Sequence, residues 1–221
     1  MSAKRRAAEQ AVEYVEDGFV VGLGSGSTVS LIIEAIANSG MKVKLIPASW
    51  QSYYECVAAG LEVVSIDQSP HPDLYLDSFD QVTESGYMIK GGGGAMLREK
   101  VLAAASKLRI FVGDSNKLVE KLSRPVPLEI IPFAYRFVEG KINELGARLE
   151  LRTSAAKNGP TISDNGHFIA DADFGPIHDP VSVERNLRNI PGIVENGLFI
   201  GLADQIIIAY EDGKTIRHSY R

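Results

Sequence analysis

Residues 90–100 have the types and spacing needed for chemistry on an anionic substrate: Lys90, four consecutive glycines, then a charged stretch with Glu99. Glycines in a row are unsuited to the interior of a helix or strand, but they let backbone amides approach a ligand closely. The following residues predict a helix, and a glycine loop leading into a helix N-terminus favours anion binding. Lys90 adds a cation, and Glu99 adds a carboxylate in the first or second turn. The alternative is a flexible linker, and apolar residues 87–89 directly before the loop argue against it.

A second loop of small residues, Gly-Leu-Gly-Ser-Gly-Ser-Thr at 22–28, follows a predicted strand (19–23). A predicted helix comes next, with apolar residues from Val29 to Ile36 on one face, and it ends at residues 38–40. On the purely structural interpretation, Ser27 or Thr28 is the N-cap of this helix. The loop has neither the Gly-Lys-Ser/Thr of a Walker A loop nor the Gly-x-Gly-x-x-Gly of a dinucleotide-binding loop. A small phosphate is therefore the expected anion, rather than a nucleotide.

Three further charged residues follow predicted strands. Asp77 and Asp80 come after the apolar residues 74–76, and Lys117 follows the predicted strand 109–112. Alternating strands and helices predict a parallel sheet, and such sheets bind ligands beyond the carboxyl ends of their strands. The structural alternatives are that the two acids stabilise a turn and that Lys117 is a solvated loop residue.

The elements that must position these residues indicate an α/β fold, with a mostly parallel sheet and helices on both faces, plus a smaller ferredoxin-like α+β domain. We assign residues 1–124 and 200–221 to the α/β catalytic domain. Residues 125–199 have the order β-α-β-β-α-β, which is the ferredoxin-like pattern. The boundary is marked by the prolines of residues 125–132, which favour an extended segment.

The composition of the chain limits the kinds of partner and the cellular compartment that we expect. A net charge of −5, with no cluster of basic and aromatic residues, argues against nucleic acid. The single Cys56 indicates a reducing compartment. No apolar run reaches the ~18 residues of a membrane span, so we expect a cytoplasmic protein with no membrane contact. The four histidines lack metal-ligand spacing, and we expect neither a metal nor a cofactor.

The chain resembles the A-type ribose-5-phosphate isomerases over nearly its whole length. The matching blocks are residues 22–28, 90–100, 127–132, 164–166, 191–194 and 197–199. The block Lys-Gly-Gly-Gly…Arg-Glu-Lys, at residues 90–100, is highly specific for this family. The resemblance implies an enzyme of the pentose phosphate pathway that interconverts ribose 5-phosphate and ribulose 5-phosphate without a metal. It also implies a small-molecule sugar phosphate as the partner and a homodimer or homotetramer.

The resemblance also implies the site residues. Glu99 corresponds to the catalytic base, which moves a proton between carbons 1 and 2 through an enediolate. Lys90 or Lys117 would stabilise the negative charge of the enediolate, and protonated Asp77 or Asp80 would relay hydrogen between the oxygens. The substrate-binding positions implied are Ser25, Gly26, Ser27, Thr28, Asp77, Ser78, Phe79, Asp80, Lys90, Gly91, Gly92, Gly93 and Lys117.

Two stretches depart from the family's pattern. Residues 77–81 are Asp-Ser-Phe-Asp-Gln, where the family usually has Asp-Gly-Ala-Asp-Glu. Residues 47–53 are Pro-Ala-Ser-Trp-Gln-Ser-Tyr, where the family usually has a run of Ser and Thr. Trp50 is therefore either a core anchor for the following helix or a lid beside the phosphate, and we favour the anchor because aromatic side chains bury large areas.

Two other functions stay open. One is a sugar-phosphate-binding regulator that has lost catalysis, and the intact Glu99 argues against it. The other is a different enzyme of the same broad fold, such as a sugar-phosphate lactonase or an amino-sugar deaminase. An isomerisation assay on ribose 5-phosphate separates the three.

Overall fold

The computed structural model describes residues 2–155 and 157–220. The chain divides into two compact units. The first unit comprises Met1–Phe79, Arg98–Leu118 and Gly201–Arg221, and the second comprises Asp80–Leu97 and Val119–Ile200. The second unit thus extends beyond the predicted range 125–199, because Asp80–Leu97 supplies two strands to a small sheet of that unit.

The six helices described are α1 (Ala3–Val12), α2 (Ser27–Ser39), α3 (Trp50–Ala58), α4 (Met96–Ala105), α5 (Tyr135–Glu144) and α6 (Pro180–Arg188). Two short 3-10 helices are Ser115–Lys117 and Pro132–Ala134. None of the helices within the described parts of the chain is long and apolar enough to span a membrane.

The strands are β1 (Val20–Leu23), β2 (Lys44–Pro47), β3 (Glu62–Val63), β4 (Leu74–Ser78), β5 (Gln81–Val82), β6 (Met88–Ile89), β7 (Leu108–Asp114), β8 (Val126–Ile130), β9 (Arg148–Leu151), β10 (Thr153–Ser154), β11 (Lys157–Pro160), β12 (Phe168–Asp173), β13 (Ile193–Asn196), β14 (Leu198–Phe199), β15 (Gln205–Ala209) and β16 (Thr215–Ser219).

A seven-stranded sheet forms the centre of the first unit, in the order β16-β15-β7-β4-β1-β2-β3. Neighbouring strands are parallel from β15 to β3, and β16 alone pairs antiparallel, with β15. The predicted mostly parallel sheet is confirmed. The edge strand β16 was not predicted, because its sequence Thr-Ile-Arg-His-Ser contains no apolar run.

Helices cover both faces of this sheet. Alternate residues of a strand point to opposite faces. On one face, Leu23 and Leu76 belong to a buried apolar core that includes residues of α1 and α2. On the opposite face, a Cβ added to Gly22 would lie 3.0 Å from the Tyr75 ring and 3.6 Å from Leu102 of α4. Gly22 thus allows α4 to pack closely against the strands.

An antiparallel four-stranded sheet, in the order β13-β8-β12-β9, forms the core of the second unit. With α5 following β8 and α6 following β12, this is the predicted ferredoxin-like order, with the hairpin β10–β11 inserted after β9. On one face, Leu128 and Ala170 pack with Val138 of α5 and Leu187 of α6. Strands β14, β6 and β5 form a separate small sheet. The sequence does not predict it, because each of these strands is only two residues long.

Candidate active site

The glycine loop lies in the second unit and forms a tight turn. Gly91 and Gly94 have positive φ angles of 97° and 77°, and the N–H of Gly94 donates to the carbonyl of Gly91 at 2.9 Å. Glycine adopts such angles readily because it has no Cβ. Helix α4 starts at Met96, directly after this turn and Ala95. The local arrangement of a glycine turn followed by a helix is therefore the one expected from the sequence.

Lys90 and Asp80 are held next to this turn within the second unit. The Lys90 side chain is buried, and its Nζ lies 5.4 Å from the centroid of the Phe199 ring. Asp80 is half-buried, and its Oδ2 accepts a hydrogen bond from the N–H of Gly92 at 2.8 Å. Gly92 and Gly93 are exposed. The second unit thus brings together Asp80, Lys90 and a solvent-accessible glycine backbone.

The loop between β1 and α2, in the first unit, differs from the prediction at its cap. The N-cap is Gly26, at a φ of 96° and with no side-chain hydrogen bond, so neither Ser27 nor Thr28 caps the helix. Both instead occupy the first two helical positions. Because no side chain caps the helix, its first amides remain suited to binding an anion.

Lys4 adds a cation at this helix start. Its Nζ donates to Ser27 Oγ at 3.1 Å. The sequence does not mark Lys4 as a site residue, because the run Lys4-Arg5-Arg6 is typical of the solvent-exposed surface of a helix. The relevant signal was the basic run itself, but the sequence alone gave no indication of which loop it would face.

Three serine hydroxyls join the loop after β1 to the loop after β2. Ser25 Oγ and Ser49 Oγ are 2.9 Å apart. Ser52 Oγ donates to the carbonyl of Gly24 at 2.7 Å, and Ser49 Oγ caps α3 by accepting from the Ser52 N–H at 3.1 Å. Ser25 is therefore connected to the loop after β2 through a network of hydroxyl groups that also fixes the start of α3.

Trp50, the first residue of α3, is not a core anchor, and that prediction is wrong. It is 51% exposed. Its ring contacts Tyr53 edge-on, with 5.5 Å between centroids, and the Arg98 guanidinium lies 5.7 Å from its centroid. An aromatic at a helix start can stack on neighbouring side chains instead of entering the core.

Asp77 lies inside β4 rather than in the turn after the strand. It is fully buried. Tyr75 Oη donates to its Oδ2 at 2.6 Å, and the N–H of Ser78 donates to its Oδ1 at 2.6 Å. The carboxylate also fills the space beside Gly24 where a Cβ would stand. The strand is longer than predicted because Asp77 and Ser78 continue its pairing with β7.

Glu99 occupies the first turn of α4 and is 3% exposed. Burial raises the pKa of Tyr75 well above its ordinary value, and the nearby charges of Asp77 and Glu99 raise it further. The first unit therefore brings the Glu99 carboxylate and the Asp77–Tyr75 pair into one buried electrostatic environment.

Lys117 and Phe79 interact at the end of β7. Lys117 Nζ donates to the carbonyl of Phe79 at 2.7 Å and lies 5.8 Å from the centroid of its ring. Phe79 is 1% exposed, and its ring lies against Gly113, where an added Cβ would be 2.6 Å away. The aromatic ring that departs from the family's pattern is therefore buried, and Gly113 makes the room for it.

Residues 2–155 and 157–220 contain no group of three or more His, Cys, Asp or Glu side chains arranged to hold a metal ion.

Comparison with known proteins identifies the family. The model of the ribose 5-phosphate isomerase A (phosphoriboisomerase A) family matches residues 44–213. Ribose-5-phosphate isomerase A of Archaeoglobus fulgidus is 45% identical over 90% of this chain and 90% of its own length. The Methanothermobacter thermautotrophicus protein of the same name is 41% identical over 98% and 97% of the two chains.

Solved structures agree. A D-ribose-5-phosphate isomerase in complex with phospho-erythronic acid superposes with a TM-score of 0.94 at 34% identity, covering 99% of this chain and 98% of the other. Ribose 5-phosphate isomerase A from Methanocaldococcus jannaschii gives a TM-score of 0.92 at 35% identity, with 98% of both chains covered. The chain belongs to the ribose 5-phosphate isomerase A family, which confirms the resemblance based on its motif blocks.

Proposed function

We propose that this protein is an isomerase that interconverts ribose 5-phosphate and ribulose 5-phosphate. The observation that carries the proposal is the buried Glu99 carboxylate in the first turn of α4, directly after the glycine loop, in a chain of this family. An aldose–ketose isomerisation moves one proton between carbons 1 and 2, and one carboxylate can remove and return it through an enediolate. Such acid–base assistance contributes about 10²–10⁴-fold to the rate.

We assign the phosphate of the substrate to the start of α2. The uncapped amides there, the Ser27 and Thr28 hydroxyls and the Lys4 ammonium all favour a dianion. Ser25 and Gly26 complete this loop. Anchoring the phosphate, which does not react, holds the reacting carbons in place, so that binding energy contributes to catalysis.

The remaining positions act on the oxygens and on the developing charge. Within the first unit, Asp77 relays hydrogen between the two oxygens, Lys117 stabilises the negative charge, and Ser78 and Phe79 complete the strand end. Within the second unit, Asp80 is the candidate for relaying hydrogen and Lys90 for stabilising the negative charge. The backbone of residues 91–93 binds the substrate. A fixed donor to a developing oxyanion is worth roughly 3–4 kcal/mol in comparable sites.

We further propose that the enzyme works in the cytoplasm as a homodimer or homotetramer of the pentose phosphate pathway, with neither a metal nor a cofactor. The family match supports the metabolic role, and the single Cys56 fits a reducing compartment such as the cytoplasm.

The decisive experiment is a coupled assay of the purified protein with ribose 5-phosphate, repeated after treatment with EDTA. We expect saturable isomerisation, competitive inhibition by inorganic phosphate, a raised KM in Lys4→Met, and no effect of the chelator. Binding of the sugar phosphate without turnover would favour a regulatory binding protein. Inhibition by EDTA that added metal reverses would contradict the metal-free mechanism.

A further inference from the structure

Arg152, which directly follows β9, connects the glycine loop to the four-stranded sheet of the second unit. Its Nη1 donates to the carbonyls of Gly91 and Gly92, each at 3.0 Å. Its Nε donates to Asp171 Oδ2 at 2.9 Å, and its Nη2 donates to Asp171 Oδ1. One guanidinium thus joins two consecutive carbonyls of the loop to a carboxylate of β12.

Other contacts place the glycine loop on the face of this sheet that carries the Asp171 side chain. A Cβ added to Gly91 would lie 3.1 Å from Pro127 Cβ, and one added to Gly94 would lie 3.5 Å from Ile169. Pro127 is the register partner of Asp171 in β12. The next residues along these strands, Leu128 and Ala170, face the helices instead. The glycine loop therefore rests on the sheet face that α5 and α6 leave open.

The donors of Arg152 are almost fully used by these contacts. A guanidinium has five N–H donors, and four hydrogen bonds go to Gly91, Gly92 and Asp171. Its charge is also balanced by the adjacent carboxylate. Arg152 is thus arranged to hold protein backbone, and it has little capacity left for a phosphate group.

A glycine loop needs such external support. It has no side chains to fix its conformation, and glycine loses more conformational freedom on ordering than any other residue. The carbonyl of Gly91 shares a peptide plane with the N–H of Gly92, and the carbonyl of Gly92 shares one with the N–H of Gly93. Holding the two carbonyls therefore also fixes these two N–H groups. The N–H of Gly92 in turn donates to Asp80 at 2.8 Å.

We propose that Arg152, oriented by Asp171, is a positioning residue that sets the conformation of the glycine loop and, through Gly92, the orientation of the Asp80 carboxylate. The proposal deepens the isomerase function and rests on it for its kinetic consequence, whereas its structural consequence stands independently. It also gives the ferredoxin-like sheet a direct part in fixing the glycine loop and the Asp80 carboxylate of the same unit.

The kinetic test compares Arg152→Met with Arg148→Met. Arg148 lies on β9, the strand that Arg152 follows; its side chain is 80% exposed and pairs with Glu150. We expect Arg152→Met to lower kcat for ribose 5-phosphate by about 10²-fold, because displacing a catalytic group by about 1 Å has an effect of this size. KM should change by less than about threefold, since Arg152 does not contact the substrate. Arg148→Met should match the parent.

The structural test measures amide hydrogen exchange by mass spectrometry in a peptide covering residues 90–95. Exchange in Arg152→Met should accelerate by at least about tenfold, while peptides from β8 and β12 stay protected. Hydrogen exchange does not depend on catalysis, so it tests the positioning role of Arg152 even if the protein does not isomerise ribose 5-phosphate.

Two milder variants keep the test decisive if Arg152→Met does not fold. Arg152→Lys retains the charge but cannot bridge both carbonyls and the carboxylate, and Asp171→Asn weakens the orienting pair. Both should show intermediate losses of kcat and intermediate exchange rates. A folded variant at either position with parental kcat and parental exchange in residues 90–95 would overturn the proposal.

Discussion

The carboxylate of Asp77 occupies the space that a side chain on residue 24 would need. An ideal Cβ built on Gly24 would overlap Cγ and both oxygens of Asp77, at separations that real Cβ atoms do not show. Glycine at position 24 is thus the condition for a buried carboxylate at the end of β4. The two residues lie on neighbouring parallel strands or directly beyond them, so the sheet itself fixes their contact.

Gly24→Ala is therefore expected to impair both stability and activity. Overpacking of this kind destabilises proteins by about 1–3 kcal/mol, and displacement of Asp77 should lower kcat by at least about tenfold. Urea denaturation and steady-state kinetics measure the two effects. The matched control is Gly140→Ala in α5, where an added Cβ has no neighbour within 4 Å. It should stabilise the protein by about 0.5–1 kcal/mol. Parental activity in Gly24→Ala would contradict this role of the contact.

Phe79 and Gly113 should be energetically coupled, because the aromatic ring stands where a Cβ on residue 113 would be. Gly113→Ala should destabilise by about 1–3 kcal/mol through overpacking. Phe79→Ala should destabilise by about 3–5 kcal/mol through the cavity it leaves. In the double variant the added methyl enters the vacated space, so the losses should fall short of additivity by about 0.5–3 kcal/mol. A strictly additive double-mutant cycle by urea denaturation would show that the two positions do not share this space.

Glu99→Gln should retain the fold and the affinity for inorganic phosphate while losing at least about 10²-fold in kcat, because the amide cannot accept the proton. Glu144→Gln is a suitable control, since that side chain is 64% exposed and pairs with Lys141 on the helix surface. Steady-state kinetics with ribose 5-phosphate distinguishes the two. Turnover of Glu99→Gln within tenfold of the parent would exclude Glu99 as the base.

Cys56 should be inert in the folded protein. Its thiol is fully buried, and burial raises its pKa from 9.0 to about 12, with a smaller contribution from Glu55. Iodoacetamide at pH 8 should therefore modify the denatured protein rapidly and the native protein only through unfolding. Rapid labelling of the native protein would show that the thiol is accessible.

The same shift predicts a pH dependence of stability. Between pH 9 and about 12 the unfolded thiol ionises while the folded thiol stays protonated. The unfolded state then binds fewer protons, so the free energy of unfolding decreases as pH rises through this window. Tyr75 acts in the same direction above its ordinary value of 10.0. Urea midpoints at pH 8, 9 and 10 should fall progressively, and less steeply in Cys56→Ala.

The sequence predicted those features that depend on neighbouring residues. The glycine turn before α4 and the parallel strands follow from local composition and periodicity, as does the ferredoxin-like order. The prediction failed where tertiary contacts decide. Trp50 stacks on Arg98 instead of entering the core, and Gly26 takes the N-cap position expected for Ser27 or Thr28.

Long-range partners left no signal in the sequence. Arg152 is sixty residues from the loop it holds, and no local pattern links the two positions. Lys4 likewise meets Ser27 only because α1 and α2 pack together.

The order of strands in the first unit has a consequence for synthesis on the ribosome. Strand β7 (Leu108–Asp114) pairs with β4 on one side and with β15 (Gln205–Ala209) on the other, and the second unit's Val119–Ile200 separates the two partners in sequence. At roughly 5–20 residues per second, β7 emerges on the order of 5–20 s before β15. During that interval β7 is an apolar strand with one open edge, which is a template for wrong pairing. A translational pause before residue 205 would lengthen the exposure, so the nascent chain should depend on chaperones most strongly at this stage.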